Sequence, residues 1–479
     1  MDILKPIFIC LEVLVLFNVL IFVHELGHFW AARWRGLRVE RFAIWFGKPI
    51  WSKKLGGVEY ALGWIPAGGY VALPQMAPME MLEGSPENPE PLPPISALDK
   101  IIVAFAGPLF SFLLAVFFAA LVWQVGRPLK ESETTTVIGY VVKGGPAEAA
   151  GLRRGDRLIE VDNKPVAKFI GMGDSVIWRV VRSEGETLSI RYERDGKVME
   201  TVATPVRPPT KALQRKSLRQ IQIEPAQTPI VFAVYTNSPA AAAGLKPFDQ
   251  VLEIDGLRMI HYAQVAERVT EVGEKPLTLK VLRDGKELTM SITPERPITP
   301  PDEKPKLGIE WMDGGKMELT YPTPMEQIRA SLGAMADTLE AVIAPKSTIS
   351  VQQLGGAVKI LNTYYILFKS DYGWQLALYF SVLMNVNLAI LNLLPFPVLD
   401  GGHITLAILE AIRKRPVSPK VLQNLQSACA IVLIGFMLFI TFFDTQDLFR
   451  GQDTKLPRPQ FAPKNQPAAS SPPIVPAPR

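Results

Sequence analysis

Cysteine is scarce in this chain of 479 residues. Only Cys10 and Cys429 occur, and both lie in apolar runs. This excludes a disulfide-stapled scaffold and leaves the redox state of the compartment open. Cys10 is also badly placed to share a metal with His24, because the fourteen helical residues that separate them amount to a rise of about 21 Å.

A strong charge of one sign is also lacking. The net charge is only +5 and comes from loops, so nucleic acid is not an expected partner. The first residues lack the basic segment of a secretory signal, and their apolar stretch is longer than the hydrophobic region of such a signal. We therefore expect this stretch to remain in the mature chain.

Long apolar runs, by contrast, are abundant. Hydrophobic residues make up 48% of the chain and charged residues 20%, which is typical of a membrane protein that carries soluble parts. Four segments are long enough to span a lipid bilayer, at about 7–30, 101–125, 375–395 and 425–443. Basic residues cluster at 33–54 and at 413–420. These two loops are therefore expected on the cytoplasmic side, with both termini and the long segment between spans two and three outside.

The end of the first apolar run carries the most informative motif, His24-Glu25-Leu26-Gly27-His28. On a helix, His24 and His28 lie one turn apart on one face, so the two imidazoles can bind one zinc ion. Glu25 beside them can accept a proton from water activated by the metal, as in the HExxH motif. Three ionisable side chains in a membrane span indicate a functional site, which still needs a third protein ligand.

A candidate for the third ligand lies near the cytoplasmic end of the third span, in the sequence NLLPFPVLDGGH from Asn392 to His403. Pro395 and Pro397 cannot continue a regular helix, so we expect Asp400 on irregular backbone at the depth of the histidines. Three protein ligands would leave one position open for water, as in catalytic zinc sites. His403 either adds a ligand or only caps the next helix.

The segment 58–73, VEYALGWIPAGGYVAL, is rich in residues that favour β-structure and has Pro66 and Gly68-Gly69 at its middle. We interpret it as a hairpin-like loop. It either lines a protein cavity as a re-entrant β-element or forms an interfacial hairpin without function. The Pro- and Glu-rich stretch 77–94 that follows is expected to be a linker.

An internal repeat lies between spans two and three. GGPAEAAGLRRGDRLIEVDNKPV at 144–166 matches NSPAAAAGLKPFDQVLEIDGLRM at 237–259, and IQIEP at 221–225 matches LGIEW at 307–311. Each copy predicts a short helix, a turn at Asp156 or Asp249, and a half-buried strand. The copies resemble PDZ domains of the kind attached to bacterial proteases. His261, in the second copy, is predicted to be a surface residue.

The predicted fold is a multi-pass α-helical membrane protein with four transmembrane helices, a membrane-associated β-hairpin loop and two inserted PDZ-like α+β domains. The segment 315–373 is an amphipathic connector, expected either along the outer membrane surface or as ordinary packed helices. The predicted segments are a first transmembrane helix with HExxH at 1–32, a cytoplasmic-side re-entrant β-loop region at 33–76, a linker at 77–98, a second transmembrane helix at 99–127, PDZ-like domains at 128–228 and 229–314, an amphipathic connector at 315–373, a third transmembrane helix with the LDGG motif at 374–403, a cytoplasmic loop at 404–424, a fourth transmembrane helix at 425–446 and a disordered Pro-rich tail at 447–479.

These motifs together resemble the site-2 protease family of intramembrane zinc metalloproteases, most closely its bacterial regulator of sigma-E protease branch. The matching features, in family order, are HELGH, Pro66 to Tyr70, the Ala-Gly-Pro at 106–108, the PDZ-like pair and NLLPFPVLDGGH. Two positions depart from the family pattern: Ser111 stands where an Asn is usual, and Ala357 where a Pro is frequent.

The resemblance implies one Zn²⁺ held by His24, His28 and Asp400, with Glu25 as general base. It also implies that Asn392 holds substrate backbone or the developing oxyanion, and that the Gly68-Gly69 loop offers a strand edge to unwound substrate. For Asn392, a hydrogen bond to a neighbouring helix is the alternative, and for Asn385 and Asn387 that role is favoured.

The implied function is cleavage of transmembrane segments in pre-trimmed single-pass membrane proteins at the bacterial inner membrane, with an anti-sigma factor or signal-peptide remnants as substrates. The PDZ-like domains would lie in the periplasm and either bind peptide C-termini or restrict access by size. A different hypothesis is an inactive membrane scaffold with PDZ domains and a structural zinc site.

Overall fold

The computed structural model describes residues 4–76, 93, 95–211, 213–301, 304–344, 349–415, 417–453 and 458–463. Most of the expected linker at 77–98 and of the expected tail lies outside these residues. The helices are α1 Leu4–Trp34, α2 Ala97–Val125, α3 Pro146–Ala149, α4 Val176–Arg182, α5 Pro239–Ala242, α6 Tyr262–Val272, α7 Pro324–Ile343, α8 Ala357–Phe368, α9 Gly373–Asn392, α10 Asp400–Arg413 and α11 Pro419–Asp453.

The strands of the described residues form one sheet near the membrane helices and several in the insert. They are β1 Arg41–Leu55, β2 Val58–Ala72, β3 Arg127–Lys130, β4 Ile138–Val141, β5 Arg157–Val161, β6 Lys164–Pro165, β7 Leu188–Arg194, β8 Lys197–Ala203, β9 Ile223–Pro225, β10 Val231–Val234, β11 Gln250–Ile254, β12 Leu257–Arg258, β13 Leu277–Arg283, β14 Lys286–Ile292, β15 Ile309–Trp311 and β16 Met317–Thr320.

Four of the described helices, α1, α2, α9 and α11, are long and apolar enough to cross a membrane. Helix α2 begins at a capping box, in which the Ser96 side chain accepts from the Asp99 N–H and Asp99 accepts from Ser96. It ends at Gly126, which adopts a φ of 76°. Helices α1, α2 and α9 share an apolar core that includes Val13, Ala115 and Val386.

The β-structure after α1 differs from the predicted hairpin. The turn lies at Gly56-Gly57, where both residues have positive φ, whereas Gly68 and Gly69 lie within β2. Both strands bend, so residues 41–44 pair with 69–72 on one side and with 59–62 on the other, and 51–55 pair with 58–62. In the described part of the chain, segment 69–72 is therefore an edge of the sheet. A glycine pair is typical of a tight turn. Both Gly56-Gly57 and Gly68-Gly69 are such pairs, so the sequence alone did not show which of them forms the turn.

The two PDZ-like domains have the same topology, with four-stranded sheets in the order β6-β5-β7-β8 and β12-β11-β13-β14. Each has its own apolar core. In each domain a buried aspartate accepts the backbone N–H three residues earlier and pairs with an arginine of the neighbouring strand. The pairs are Asp156 with Arg194 at 2.7 Å and Asp249 with Arg283 at 2.6 Å.

His261 is not the surface residue that was predicted, because it is fully buried where the two PDZ-like domains meet. Its Nδ1 accepts from the Ala263 N–H and caps α6. Its Nε2 lies 3.0 Å from both the Gln227 amide and the Glu224 carboxylate, and the bond to His261 lowers the pKa of Glu224. The sequence of one repeat does not reveal a contact that the other repeat completes.

Strands β3 and β16 pair at the base of the insert, with Arg127 opposite Thr320. The chain therefore leaves α2 and returns to α7 through adjacent strands. Further on, α10 occupies much of the segment 404–424 that was predicted as a loop. Its first residues, Asp-Gly-Gly, are more typical of a turn than of a helix, so a loop was predicted here.

Candidate zinc site

Three predicted ligands come together where α1 meets the start of α10. His24 and His28 are buried one turn apart on α1, and Asp400 is the first residue of α10. The Nε2 atoms of the two histidines are 3.3 Å apart. Each also lies 3.3 Å from one oxygen of Asp400. Among the described residues, this is the group of His, Cys, Asp and Glu side chains arranged to hold a metal ion.

The spacing of these atoms fits a tetrahedral zinc ion. Zinc–nitrogen and zinc–oxygen bonds of about 2.0–2.1 Å at tetrahedral angles place neighbouring ligand atoms about 3.3–3.4 Å apart. The separation of the two Nε2 atoms matches that edge length, as does the separation of each Nε2 from its own Asp400 oxygen, Oδ2 for His24 and Oδ1 for His28. The donor set of two imidazoles and one carboxylate is also a known catalytic set, and it leaves a fourth corner open.

Helix α2 orients both imidazole rings. The Nδ1 of His24 lies 3.0 Å from the hydroxyl of Ser111, and the Nδ1 of His28 lies 2.8 Å from the carbonyl oxygen of Val103. A histidine whose Nδ1–H donates to an oxygen keeps its Nε2 lone pair for a metal. Sequence reasoning noted Ser111 only as a departure from the expected Asn and did not identify either contact.

Two glycines allow the helices to come this close. A Cβ at Gly107 would overlap the His28 ring, and a Cβ at Gly27 would meet the Ala106 carbonyl. Both glycines therefore serve close packing of α1 on α2. The Ala-Gly-Pro motif at 106–108 was noted in the sequence, but without this role.

The break after α9 positions Asp400. Helix α9 ends at Asn392, and Leu399 precedes α10 in an extended conformation. A Cβ at Gly401 or Gly402 would run into the backbone of the 393–397 turn. The start of α10 can pack against the turn only because these two positions after Asp400 are glycines.

Glu25, Gly69 and Asn392 border the ligand cluster. Glu25 is half-buried, and its Cγ lies 3.0 Å from the position that a Cβ of Gly69 would take. The Nδ2 of Asn392 is 3.4 Å from Nε2 of His24. The sheet edge 69–72 and the candidate base are thus in direct contact. The neighbouring Gly68 has a φ of +69°, and the Phe46 ring fills the space beside it.

Other polar side chains of the membrane helices have different contacts. Asn385 donates to the Ser381 carbonyl of its own helix at 2.8 Å, and Glu12 accepts from the Trp374 indole at 3.0 Å. His403 lies in α10 outside the ligand cluster. Both cysteines are free.

Comparison with known proteins gives matches along most of the chain. The profile of peptidase family M50 matches residues 12–436. A putative zinc metalloprotease of Treponema pallidum is 31% identical over 455 residues, which cover 90% of this chain and 95% of the relative. The regulator of sigma-E protease RseP of Salmonella typhimurium is 30% identical over 467 residues, which cover 90% and 97%. Among solved structures, the PDZ domain of an SdrC-like protein from Listeria monocytogenes is 20% identical, covers 18% of this chain and 90% of its own, and has a TM-score of 0.17.

Proposed function

The chain belongs to peptidase family M50, and we propose that His24, His28 and Asp400 hold the zinc of this intramembrane metalloprotease while Glu25 is its general base. The enzyme is a zinc protease of the site-2 type that acts in regulated intramembrane proteolysis. It is a multi-pass protein of the inner membrane. The observation that carries the residue assignment is the cluster beside Glu25, in which the two histidine Nε2 atoms lie 3.3 Å apart and each lies 3.3 Å from a different oxygen of Asp400.

The surrounding residues divide the chemical work. Zinc at this position supplies Lewis-acid activation of water and of the scissile carbonyl. Glu25 takes a proton from the attacking water and delivers it to the leaving amine nitrogen. The amide of Asn392 donates to the substrate carbonyl oxygen, where negative charge develops. Its Nδ2 lies 3.4 Å from Nε2 of His24 on the neighbouring helix α1, and this closeness to the ligand cluster supports the role.

Substrate enters as an extended strand. An intact helix hides its carbonyl groups in internal hydrogen bonds, so a transmembrane substrate must unwind before cleavage. In the part of the chain that the structure describes, the sheet edge 69–72 pairs with a strand on one side only, so its other side can pair with an unwound segment. Gly69 brings that edge against Glu25, which supports the proposal that the hairpin region is a re-entrant element beside the site.

The proposed substrates are single-pass membrane proteins that another protease has already shortened on the outer side. An anti-sigma factor is the favoured class, because relatives that match 90% of this chain are named regulator of sigma-E protease. Signal-peptide remnants are a second class. The basic loops support an orientation with the PDZ-like domains and both termini in the periplasm and the active site toward the cytoplasm.

The scaffold hypothesis is not favoured. A structural zinc site has four protein ligands, whereas the described cluster has three. A carboxylate next to the open corner has no purpose in a structural site. Glu25 therefore separates the two hypotheses experimentally.

The test is Glu25→Gln in the full-length chain. We expect it to keep its zinc content and its thermal unfolding midpoint, because glutamine has the same shape, and to lose cleavage of a reporter transmembrane substrate by at least about 100-fold. Glu12→Gln on the same helix is the matched control, since Glu12 bonds Trp374 far from the site. Cleavage by Glu25→Gln at the native rate would refute the assignment.

A further inference from the structure

A segment of the C-terminal tail lies on the second PDZ-like domain. Residues 458–463 follow α11 after a short gap in the described residues. Gln460 pairs with Thr299 in an antiparallel bridge. The Ile298 N–H donates to the Gln460 carbonyl at 2.8 Å, and the Gln460 N–H donates to the Thr299 carbonyl at 2.7 Å. The tail thus forms a β-bridge with this domain.

Phe461 anchors the segment. It is only 4% exposed, although the sequence around it is polar and rich in proline. Its Cε2 lies 2.8 Å from the position that a Cβ of Gly308 would take, and Ser238 borders the same space. Gly308 has a φ of +77°. Burial of a whole phenylalanine in a tail of this composition is evidence of a specific contact.

The first PDZ-like domain provides an internal comparison, because its side chains fill the corresponding place. The repeat aligns Gly308 with Gln222 and Ser238 with Gly145. Gln222 has the same left-handed backbone, with a φ of 61°. Its Oε1 lies 2.7 Å from the position that a Cβ of Gly145 would take. In the first domain a glutamine of the domain itself covers this spot, and in the second domain a glycine leaves it to Phe461.

The carboxylates that follow also have different partners. Glu224 of the first domain bonds His261, whereas the equivalent Glu310 of the second domain lies 3.6 Å from the guanidinium of Arg458. Beside this ion pair, a cavity of about 580 Å³ opens between α6 and residues 304–311, and Pro459 forms part of its wall. The tail therefore borders this cavity.

We propose that the second PDZ-like domain has a docking site for the chain's own C-terminal segment, formed by Gly308, Ser238, Thr299 and Glu310, in which Phe461 is the anchor. The docked tail occupies the mouth of the neighbouring cavity and competes with any peptide that enters it. The site is independent of the zinc centre, so neither proposal depends on the other.

Disulfide trapping tests the docking in the full-length chain. Partners in an antiparallel bridge have Cα atoms about 4.5–5.5 Å apart, which is within the range of a disulfide. In a background of Cys10→Ala and Cys429→Ala, Thr299→Cys with Gln460→Cys should lose both free thiols under mild oxidation. The matched control is Thr210→Cys with Gln460→Cys, because Thr210 is the equivalent residue of the first domain. Equal thiol loss in the two pairs, or none in the first, would overturn the docking.

Competition with a labelled synthetic peptide of residues 454–463 tests the anchor. The native chain fills its site internally, so Phe461→Ala should bind the added peptide at least about tenfold more tightly than the native chain does. Adding Ser238→Gly and Gly308→Gln to Phe461→Ala should abolish this binding. These two changes reproduce residues that the first domain already carries, so the domain should still fold. Equal peptide binding by the native and Phe461→Ala chains, or binding unaffected by the two added changes, would refute the site.

Discussion

The hydroxyl of Ser111 is predicted to set the zinc affinity of the enzyme. Ser111 is fully buried on α2, and its oxygen lies 3.0 Å from Nδ1 of His24. Ser111→Ala removes the acceptor and leaves the Nδ1–H of a buried histidine without a partner. His24 can then rotate or change tautomer, and either change takes its Nε2 lone pair away from the metal.

The expected magnitude follows from that single bond. An unsatisfied buried donor costs about 1–3 kcal/mol, which corresponds to a loss of zinc affinity of about 5–150-fold. Removing the partner of a metal-binding histidine typically costs about 10–100-fold, which lies inside this range. Ser111→Asn should recover most of the affinity, because its carbonyl oxygen can accept the same proton.

The assay is zinc competition with a chelator on the purified full-length chain, next to cleavage of the reporter substrate. Ser381→Ala is the matched control, because Ser381 is an equally buried serine that bonds Tyr364 in another part of the helical core. It should affect thermal stability but not zinc affinity. If Ser111→Ala binds zinc within twofold of the native chain, Ser111 does not orient His24 and the reasoning fails.

Two further predictions concern a close helix contact and a buried ion pair. Gly107→Ala should lower zinc affinity at least about tenfold, because its Cβ would displace the His28 ring. The control is Gly435→Ala in α11, which has open space around it and should leave zinc binding unchanged. Equal zinc affinity in both variants would contradict the packing argument. Arg215→Ala should destabilise the chain by about 3 kcal/mol, because the buried carboxylate of Asp444 loses the guanidinium at 2.7 Å that balances its charge and retains the backbone N–H groups of Gly356 and Lys359. Asp447→Asn removes only the more exposed carboxylate near Arg215 and should cost less than about 1 kcal/mol in thermal or denaturant unfolding; an equal loss in both would contradict the prediction.

The candidate ligand set could be predicted from the sequence for a physical reason. Ionisable residues are costly in a membrane span, so His24, Glu25 and His28 stand out against an apolar background, and the helical repeat places the two histidines on one face. Asp400 follows from two prolines that break a span. These inferences need only local geometry and the cost of burying charge.

The residues that support the ligands could not be derived in this way. The contacts of Ser111 and Val103 depend on how α1 crosses α2, and no periodicity within one helix encodes that crossing. His261 was misjudged for a related reason, since its burial comes from the other repeat. Strand β1 was not predicted because its second half carries several basic and exposed residues, and its pairing with β2 is what orders it.

The pairing of β3 with β16 has a consequence for how the chain is assembled. The insert leaves and re-enters the helical core through neighbouring strands. The pairing of β3 with β16 therefore holds its two ends together, whatever lies between them. A whole module can then be duplicated, lengthened or exchanged in this loop without moving the helices on which it stands. The two similar copies between Arg127 and Thr320 are what such an insertion site would be expected to accumulate over evolution.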